Sequence, residues 1–413
     1  MLGNTRADSQ FNAADYSKSL LAAILRARST YGKETIIAAD ITTPSLTYQD
    51  LLTRSFILKR KLSESLGESR FVGVLLPNTL AVLVTFCSLH MLKRVPCMLN
   101  YSAGEASVLH ACHIAGVQTI ITSKQFIEKA KLEYLVKALQ KQYTIIYLED
   151  FRKNITWKDK LSGVLDAMFP AMALRELLSS TSPDDAAVVL YTSGSEGVPK
   201  GVALSHANLL SNIAQACARL DLSPPHTIFN ALPVFHSFGL TVGTIMPLIC
   251  GLKTYLYPSP VQYKQIPEEV HKSEATIMLG TDTFFQGYAR YAEKHHFIRI
   301  RLAVAGAEKL KESTRKAWLD NYGVDILQGY GVTEASPVIS VNTPDDHKPG
   351  TVGKLFPAME HKLESVDGLD KGARLVVKGP NIMLGYLKAD KPGIIQPQGA
   401  WYDTGDIVDI SDD

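Results

Sequence analysis

Short apolar, β-branched runs alternating with longer amphipathic ones constrain this chain most. From residue 34 onward "RFVGVLLPN" gives way to "TLAVLVTFCSLHMLKR", then to "VPCMLN", "SAGEASVLHACHIAG" and "VQTIITS". The short runs fit buried strands and the long ones fit helices that cross back over a sheet, the pattern of βαβ units around a mostly parallel sheet. "SAGE" at 102–105 reads as a capping box, with Ser102 as N-cap and Glu105 reaching back, so a helix is expected to begin there.

A polar loop, "SSTSPDD" (179–185), separates this unit from a second one. The second alternates "AAVVLYTSG", "HTIFNALPVFHSFG", "LKTYLYP", "ATIMLGTD", "IRLAVAGAE" and "VDILQGYGVTE" with helical stretches such as "SHANLLSNIAQACARL" and "KESTRKAWLDNYG". After residue 345 the texture changes to short strands punctuated by Gly and Pro, as in "GTVGKLFPAMEHKLES" and "ARLVVKGPNIMLGYL", which suits a small barrel or an antiparallel sheet. The expected class is α/β: two doubly wound subdomains over 1–182 and 183–345, and a small β-barrel-like subdomain over 346–413. A length of 413 residues can hold roughly two or three such units.

Charge and cysteine usage narrow the function classes. Forty-three basic against 41 acidic residues leave +2, too little for a dedicated nucleic-acid or membrane-surface protein. The five cysteines are scattered and never spaced C-x-x-C, which argues against a disulfide framework or a structural zinc site and for a reducing compartment. Asp8 and Asp15 interrupt the N-terminal stretch, unlike a signal peptide. The longest apolar run, Phe238 to Leu252, contains Gly and Pro and falls short of the roughly 20 residues of a membrane span, so any membrane contact is expected to be peripheral.

"YTSGSEGVPKG" (191–201) follows the strand pattern "AAVVLY" and precedes a helical pattern near Ser205, at a strand end where open α/β sheets bind ligands. Its glycines allow backbone N–H groups close to phosphate oxygens, its hydroxyls donate, and Lys200 supplies a cation. A Gly/Ser turn is the plainer reading of the loop alone. It is not a Walker A motif, because Gly201 follows the lysine where Ser or Thr is required.

This loop resembles the phosphate loop of the acyl-adenylate-forming (AMP-binding) superfamily, and the family's other motifs follow in order: "LPVFHSFG" (232–239), "AGAE" (305–308), "QGYGVTEASP" (328–337) and "WYDTGD" (401–406). Upstream, "LTYQDL" and "VPCMLNYSAGE" extend the resemblance over nearly the whole chain. Within the superfamily, "TSGSEG", "LYPSP", "AGAEKLKEST" and "KGPNIMLGYL" look most like the acyl-[acyl-carrier-protein] synthetase portion of bifunctional bacterial 2-acylglycerophosphoethanolamine acyltransferases. In that group Glu196 is a lineage variant; repelled by a triphosphate, it is expected to turn away toward a cation, a backbone N–H or the metal.

The resemblance implies ATP and Mg2+ as cofactors and a fatty acid as substrate, with acyl carrier protein, or CoA, as acceptor. It assigns Thr192, Ser193, Gly194, Ser195, Gly197 and Lys200 to the phosphates of ATP, Glu334 to the metal and Thr333 to the α-phosphate. It sets Tyr330 against one side of adenine and Gly306, Ala307 and Glu308 against the other, Asp406 on the ribose hydroxyls, and His236 at the mouth of the acyl tunnel. Residue by residue, plainer roles stay open: Tyr330 or His236 as core residues, Glu308 as a helix N-terminal acid, and Asp406 as a turn former. His295 and His296 read as structural or surface residues. The apolar stretches "PVFHSFGL", "MLGTDTFF" and "GYGVTEASP" suit a fatty acyl pocket, with no acid to pair an α-ammonium.

Family members continue after the ribose aspartate into a smaller C-terminal domain bearing a hinge arginine and a lysine that contacts the acyl-adenylate; the chain is therefore expected to be truncated or natively short, truncation being favoured, with slow adenylation and no thioester transfer. No acyltransferase H-x4-D motif is found: His90 is followed five residues on by Val95 and His113 by Gln118. Basic stretches at 59–61 and 309–316 could meet an acidic carrier protein or be solvated helix faces. The location implied is the bacterial cytoplasm or the inner-membrane periphery, in phospholipid acyl turnover. Three readings stand: an acyl-carrier-protein ligase, a long-chain acyl-CoA synthetase, and a pseudoenzyme that binds nucleotide and acyl chain.

Overall fold

The structure, a computed structural model, describes residues 11–193, 199–220, 222–368 and 371–412. Two large mixed sheets carry it. In the nine-stranded sheet a parallel run of Ile326–Gly331, Leu302–Ala305, Ile277–Gly280, Thr227–Asn230, Lys253–Leu256 and Ile36–Asp40 is flanked by antiparallel edge strands. In the eight-stranded sheet Ala186–Ser193, Val95–Met98, Phe71–Leu75, Thr119–Thr122 and Thr144–Tyr147 run parallel. The expected α/β class and its strands are therefore present. Sheet membership crosses residues 182/183: Ala186–Ser193 joins the earlier strands, and Ile36–Asp40 joins the later ones.

Beyond residue 345 the described strands form no closed barrel. Glu360–Glu364, Ala373–Lys378 and Tyr402–Val408 make a three-stranded antiparallel sheet, while Gly385–Leu387 and Gln396–Pro397 extend the eight-stranded sheet. The antiparallel alternative holds, because Gly385–Leu387 pairs with Pro199–Ser205 and Gln396–Pro397 pairs with Gly385–Leu387 instead of closing a barrel.

The expected capping box at 102–105 does not form. Ser102 donates both its N–H and its hydroxyl to Asn100 Oδ1, and the helix Glu105–Ile114 starts from Gly104 at φ 85°, without a side-chain cap. The local Asx-type bond captures the serine that the helix would have used, and a residue with positive φ at the cap favours glycine. Elsewhere capping signals hold: Ser205 caps the helix His206–Arg219, with Asn208 completing the box.

That helix docks on the N-terminal helix Leu20–Tyr31 through a buried histidine. His206 Nδ1 accepts the Leu20 N–H at 3.2 Å, and its ring lies 5.2 Å from that of His90, whose Nε2 is buried without a hydrogen-bond partner among the described residues. Burial pushes the His206 pKa down to about 4 against an opposing pull from Asp185, and burial together with His206 holds His90 well below its ordinary value. Both groups protonate more readily when unfolded, so their contribution is present above pH 6.5 and is lost as pH falls toward the folded values. Lowering the pH from 6.5 to about 4 is expected to cost roughly 3 kcal/mol through His206 alone. Denaturant melts across that range check this: His206→Asn, which retains an acceptor for Leu20, should flatten the pH dependence.

Candidate active site

The parallel strands of the nine-stranded sheet deliver their carboxyl ends to one cavity of about 860 Å³. Thr227–Asn230 leads into the segment bearing His236, Leu302–Ala305 leads into Gly306 to Glu308, and Ile326–Gly331 carries Tyr330 and leads into Thr333 and Glu334. Thr192, from the other sheet, and Asp406, from the three-stranded sheet, complete the polar wall. Nine expected site residues thus line one cavity: Thr192, His236, Gly306, Ala307, Glu308, Tyr330, Thr333, Glu334 and Asp406.

The phosphate-loop expectation falls only partly on described residues. Ala186–Ser193 turns back into an antiparallel strand, Pro199–Ser205, with Thr192 opposite Lys200 and Ser193 opposite Pro199. The loop is thus carried by a hairpin, and a strand intervenes before the expected helix. Gly194, Ser195, Glu196 and Gly197 lie outside the described residues, as does the Ser193 side chain. Lys200 is not among the cavity-lining residues; its Nζ sits 5.6 Å from the ring centroid of Tyr386.

Glu334 is the buried acid of the site, with 7% of its surface exposed. The Tyr386 hydroxyl donates to its Oε1 at 2.8 Å, and burial, reinforced by the Glu334 charge, pushes up the pKa of both Tyr386 and Tyr402. No lysine, arginine or histidine pairs with Glu334 among the described residues. A buried carboxylate held only by neutral hydroxyls is a group that a hard cation would complete, so the donor set fits a divalent metal. Neither tyrosine was singled out in the sequence, although both lie inside quoted motifs, "KGPNIMLGYL" and "WYDTGD". Their meeting with Glu334 is non-local and leaves no periodic signal.

Around it the other polar groups are ordered. Tyr330 Oη donates to Asp406 Oδ2 at 2.6 Å, and burial followed by this bond raises the phenol's pKa. Thr333 Oγ1 lies 3.3 Å from Ser237 Oγ. Glu308 accepts from the Thr283 N–H and hydroxyl at 3.0 and 2.8 Å, so it acts as an acid at the start of the helix Asp282–Ala289 while also lining the cavity. Ala307, between the strand Leu302–Ala305 and Glu308, holds a left-handed φ of 65°. His236 opens onto the cavity beside Phe235, ring centroids 4.7 Å apart, and desolvation within that concavity keeps its pKa below the usual value.

Apolar residues such as Val242, Met246, Leu279, Val304, Val338 and Phe356, packed in one hydrophobic cluster, also line this cavity and give it an apolar arm. One wall is a π-helical stretch, Phe238–Ile245, lying tight against Asn230. A Cβ on Gly243 would come within 2.4 Å of the Asn230 side chain, so glycine there permits the approach. Asn230, fully buried, donates to Gly239 O and to Thr244 Oγ1, fixing the wall's winding. His295 and His296 stay outside the cavity: His296 Nδ1 accepts the Glu293 N–H and Nε2 lies 3.3 Å from Glu268.

Comparison with known proteins agrees with this geometry. The pattern described as AMP-binding enzyme matches residues 26–387. A long-chain-fatty-acid–CoA ligase of Salmonella typhimurium is 26% identical over 398 residues, covering 89% of this chain and 71% of that protein. Among solved structures, an anthranilate CoA ligase, AuaEII, in complex with anthranoyl-AMP superposes with a TM-score of 0.77 at 18% identity, over 96% of this chain and 76% of that one. ATP-bound MatB from Rhodopseudomonas palustris gives 0.72 at 21%, over 94% and 76%. With the family pattern running through nearly all of the chain and both large sheets arranged as in these neighbours, the protein belongs to the AMP-binding enzyme family.

Proposed function

We propose that the protein is a ligase that activates a fatty acid with ATP, forming an acyl-adenylate and releasing pyrophosphate, then passing the acyl group to a thiol. One observation carries this reading: a single cavity joins a polar wall of hydroxyls and carboxylates to an apolar arm. A nucleotide and a hydrocarbon chain can therefore meet there.

The chemistry asks the protein mainly to orient two anions and offset their repulsion. Mg2+ bound at Glu334 would supply positive charge to the phosphates. Thr192, Ser193, Gly194, Ser195, Gly197 and Lys200 hold the β- and γ-phosphates, and Thr333 hydrogen-bonds the α-phosphate. Tyr330 lies against adenine opposite Gly306, Ala307 and Glu308, and Asp406 accepts from the ribose hydroxyls. His236 lines the same cavity, where desolvation holds its pKa below the usual value and so disfavours a charge that would compete for the carboxylate. Tyr386 keeps Glu334 oriented through its 2.8 Å bond.

CoA is the acceptor favoured by the relative's name. The acyl-carrier-protein reading rests on the wording of the motifs. The basic stretch 309–316 lends it little, since Lys311 faces Asp282 at 3.6 Å and Arg315 pairs with Glu312 and Asp325. Thioester formation with each acceptor, measured side by side, decides between them.

The ribose assignment has its own test. Asp406→Asn should weaken ATP binding about tenfold, as expected for losing hydrogen bonds to a charged acceptor, while 2′,3′-dideoxy-ATP should bind the variant and the parent alike. An equal loss with both nucleotides would place Asp406 elsewhere.

A further inference from the structure

A second cavity of about 790 Å³ adjoins the first, the two sharing Tyr101, Pro258 and Ser259 in their walls. Its size falls in the roughly 300–1,000 Å³ range of small-molecule sites. The floor is apolar, with Ile57, Leu76, Val84, Phe126, Leu148 and Phe151 among its residues. Four cations line it, Arg54, Lys61, Lys129 and Arg152, against one acid, Asp40.

The partners of these charged groups define what the cavity can take. Asp40 is consumed internally: Oδ1 accepts from Thr42 N, Thr42 Oγ1 and Thr43 N, and Oδ2 accepts from Leu80 N, at 2.7 to 2.9 Å. Lys61 is paired with Asp159 at 3.0 Å. Arg54, Lys129 and Arg152 form no ion pair or side-chain hydrogen bond among the described residues. Two of the neutral polar groups are also engaged, Ser123 with Glu149 and Gln262 with the Tyr257 hydroxyl. An apolar floor with three unpaired cations suits an aliphatic chain ending in an anion.

Tyr101 divides the two spaces. Its ring packs edge-on against Phe126 of the second cavity and against Phe235 of the first, with centroids 4.9 Å away in each case. We infer that the second cavity is a staging site for a single-chain amphiphilic anion, a fatty acid, held with its carboxylate on Arg54, Lys129 and Arg152 and separated from the reaction cavity by the Tyr101 ring. The identity of this ligand rests on the fatty-acid reading above; the site itself rests on the lining.

The test titrates hexadecanoate, below its micellar concentration, into protein whose reaction cavity is filled with hexadecanoyl sulfamoyl-adenosine. One further equivalent should bind, with affinity falling about tenfold or more in Arg54→Glu/Arg152→Glu and on raising the salt. Both arginines are exposed, so the variant should fold, and Lys61, already paired, should be insensitive to Lys61→Gln in the same assay. Absence of a second equivalent, or an affinity unchanged by the double reversal, overturns the site. Occupation by desulfo-CoA in preference to hexadecanoate overturns the assigned ligand. If the adenosine analogue itself fails to bind, the adenylation reading fails separately, and titration of the protein alone still reads whether the arginines hold a fatty acid.

Discussion

Glu334→Gln should lower fatty-acid-dependent ATP–pyrophosphate exchange by about 10²- to 10³-fold, the size of loss seen when one preorganised electrostatic group is removed from a reacting centre. The substitution keeps an oxygen for the Tyr386 hydroxyl, now 2.8 Å from Oε1, so the buried pocket stays satisfied while its charge disappears. Thermal stability should change little, because the neutral amide is easier to bury than the carboxylate it replaces. ATP should bind without its full metal dependence: a titration with and without Mg2+ should separate in the parent and converge in the variant. If exchange survives while Tyr386→Phe abolishes it, the acid is structural and the metal lies elsewhere.

The apolar arm predicts a second large effect, on which substrates react. Val242, half-buried on the π-helical wall, lines the arm. Val242→Trp should fill it, lowering activity with hexadecanoate by about 50-fold or more while changing octanoate less than about threefold, since each methylene denied its pocket is worth on the order of 1 kcal/mol. Overpacking should also cost roughly 1–3 kcal/mol of stability, read from a melt. Parallel losses for both chain lengths would mean that Val242 does not bound the acyl chain.

Most strands were legible because a parallel strand buried on both faces writes a continuous β-branched run, as in "AAVVLY" and "ATIMLG". The carboxyl ends of those runs located the site, since loops there are where an open sheet binds ligands. The strand Pro199–Ser205 was hidden because "PKGVALS" begins with turn residues and is pinned only by its neighbours, Ala186–Ser193 and Gly385–Leu387. The cap at Gly104 was misplaced because Asn100 competes for Ser102. Tyr386 escaped notice for a different reason: its bond to Glu334 spans 52 residues, from a strand to a short helical turn, and nothing local to "LGYL" distinguishes a ligand-orienting tyrosine from a strand aromatic.

Pairings within the site follow the same division. Asp406 in "WYDTGD" reads locally as a turn former, but the local side-chain bonds there are accepted by Asp403, from the Gly405 N–H at 2.9 Å, and by Thr404 Oγ1, from the Asp406 N–H at 3.1 Å. Its 2.6 Å bond from Tyr330, across 76 residues, is what ties it to the cavity. Glu308 is likewise both things the sequence allowed, a helix-start acid and a lining residue.

The measurement that bears most directly on the central claim is ATP–pyrophosphate exchange by the unaltered protein, run with no fatty acid and with saturated fatty acids of increasing length. The account predicts no exchange without fatty acid, exchange that rises with chain length until the arm is filled, and hexadecanoyl-AMP recoverable from the reaction. Exchange that ignores the fatty acid, or no exchange at any length from protein that binds ATP, would contradict it.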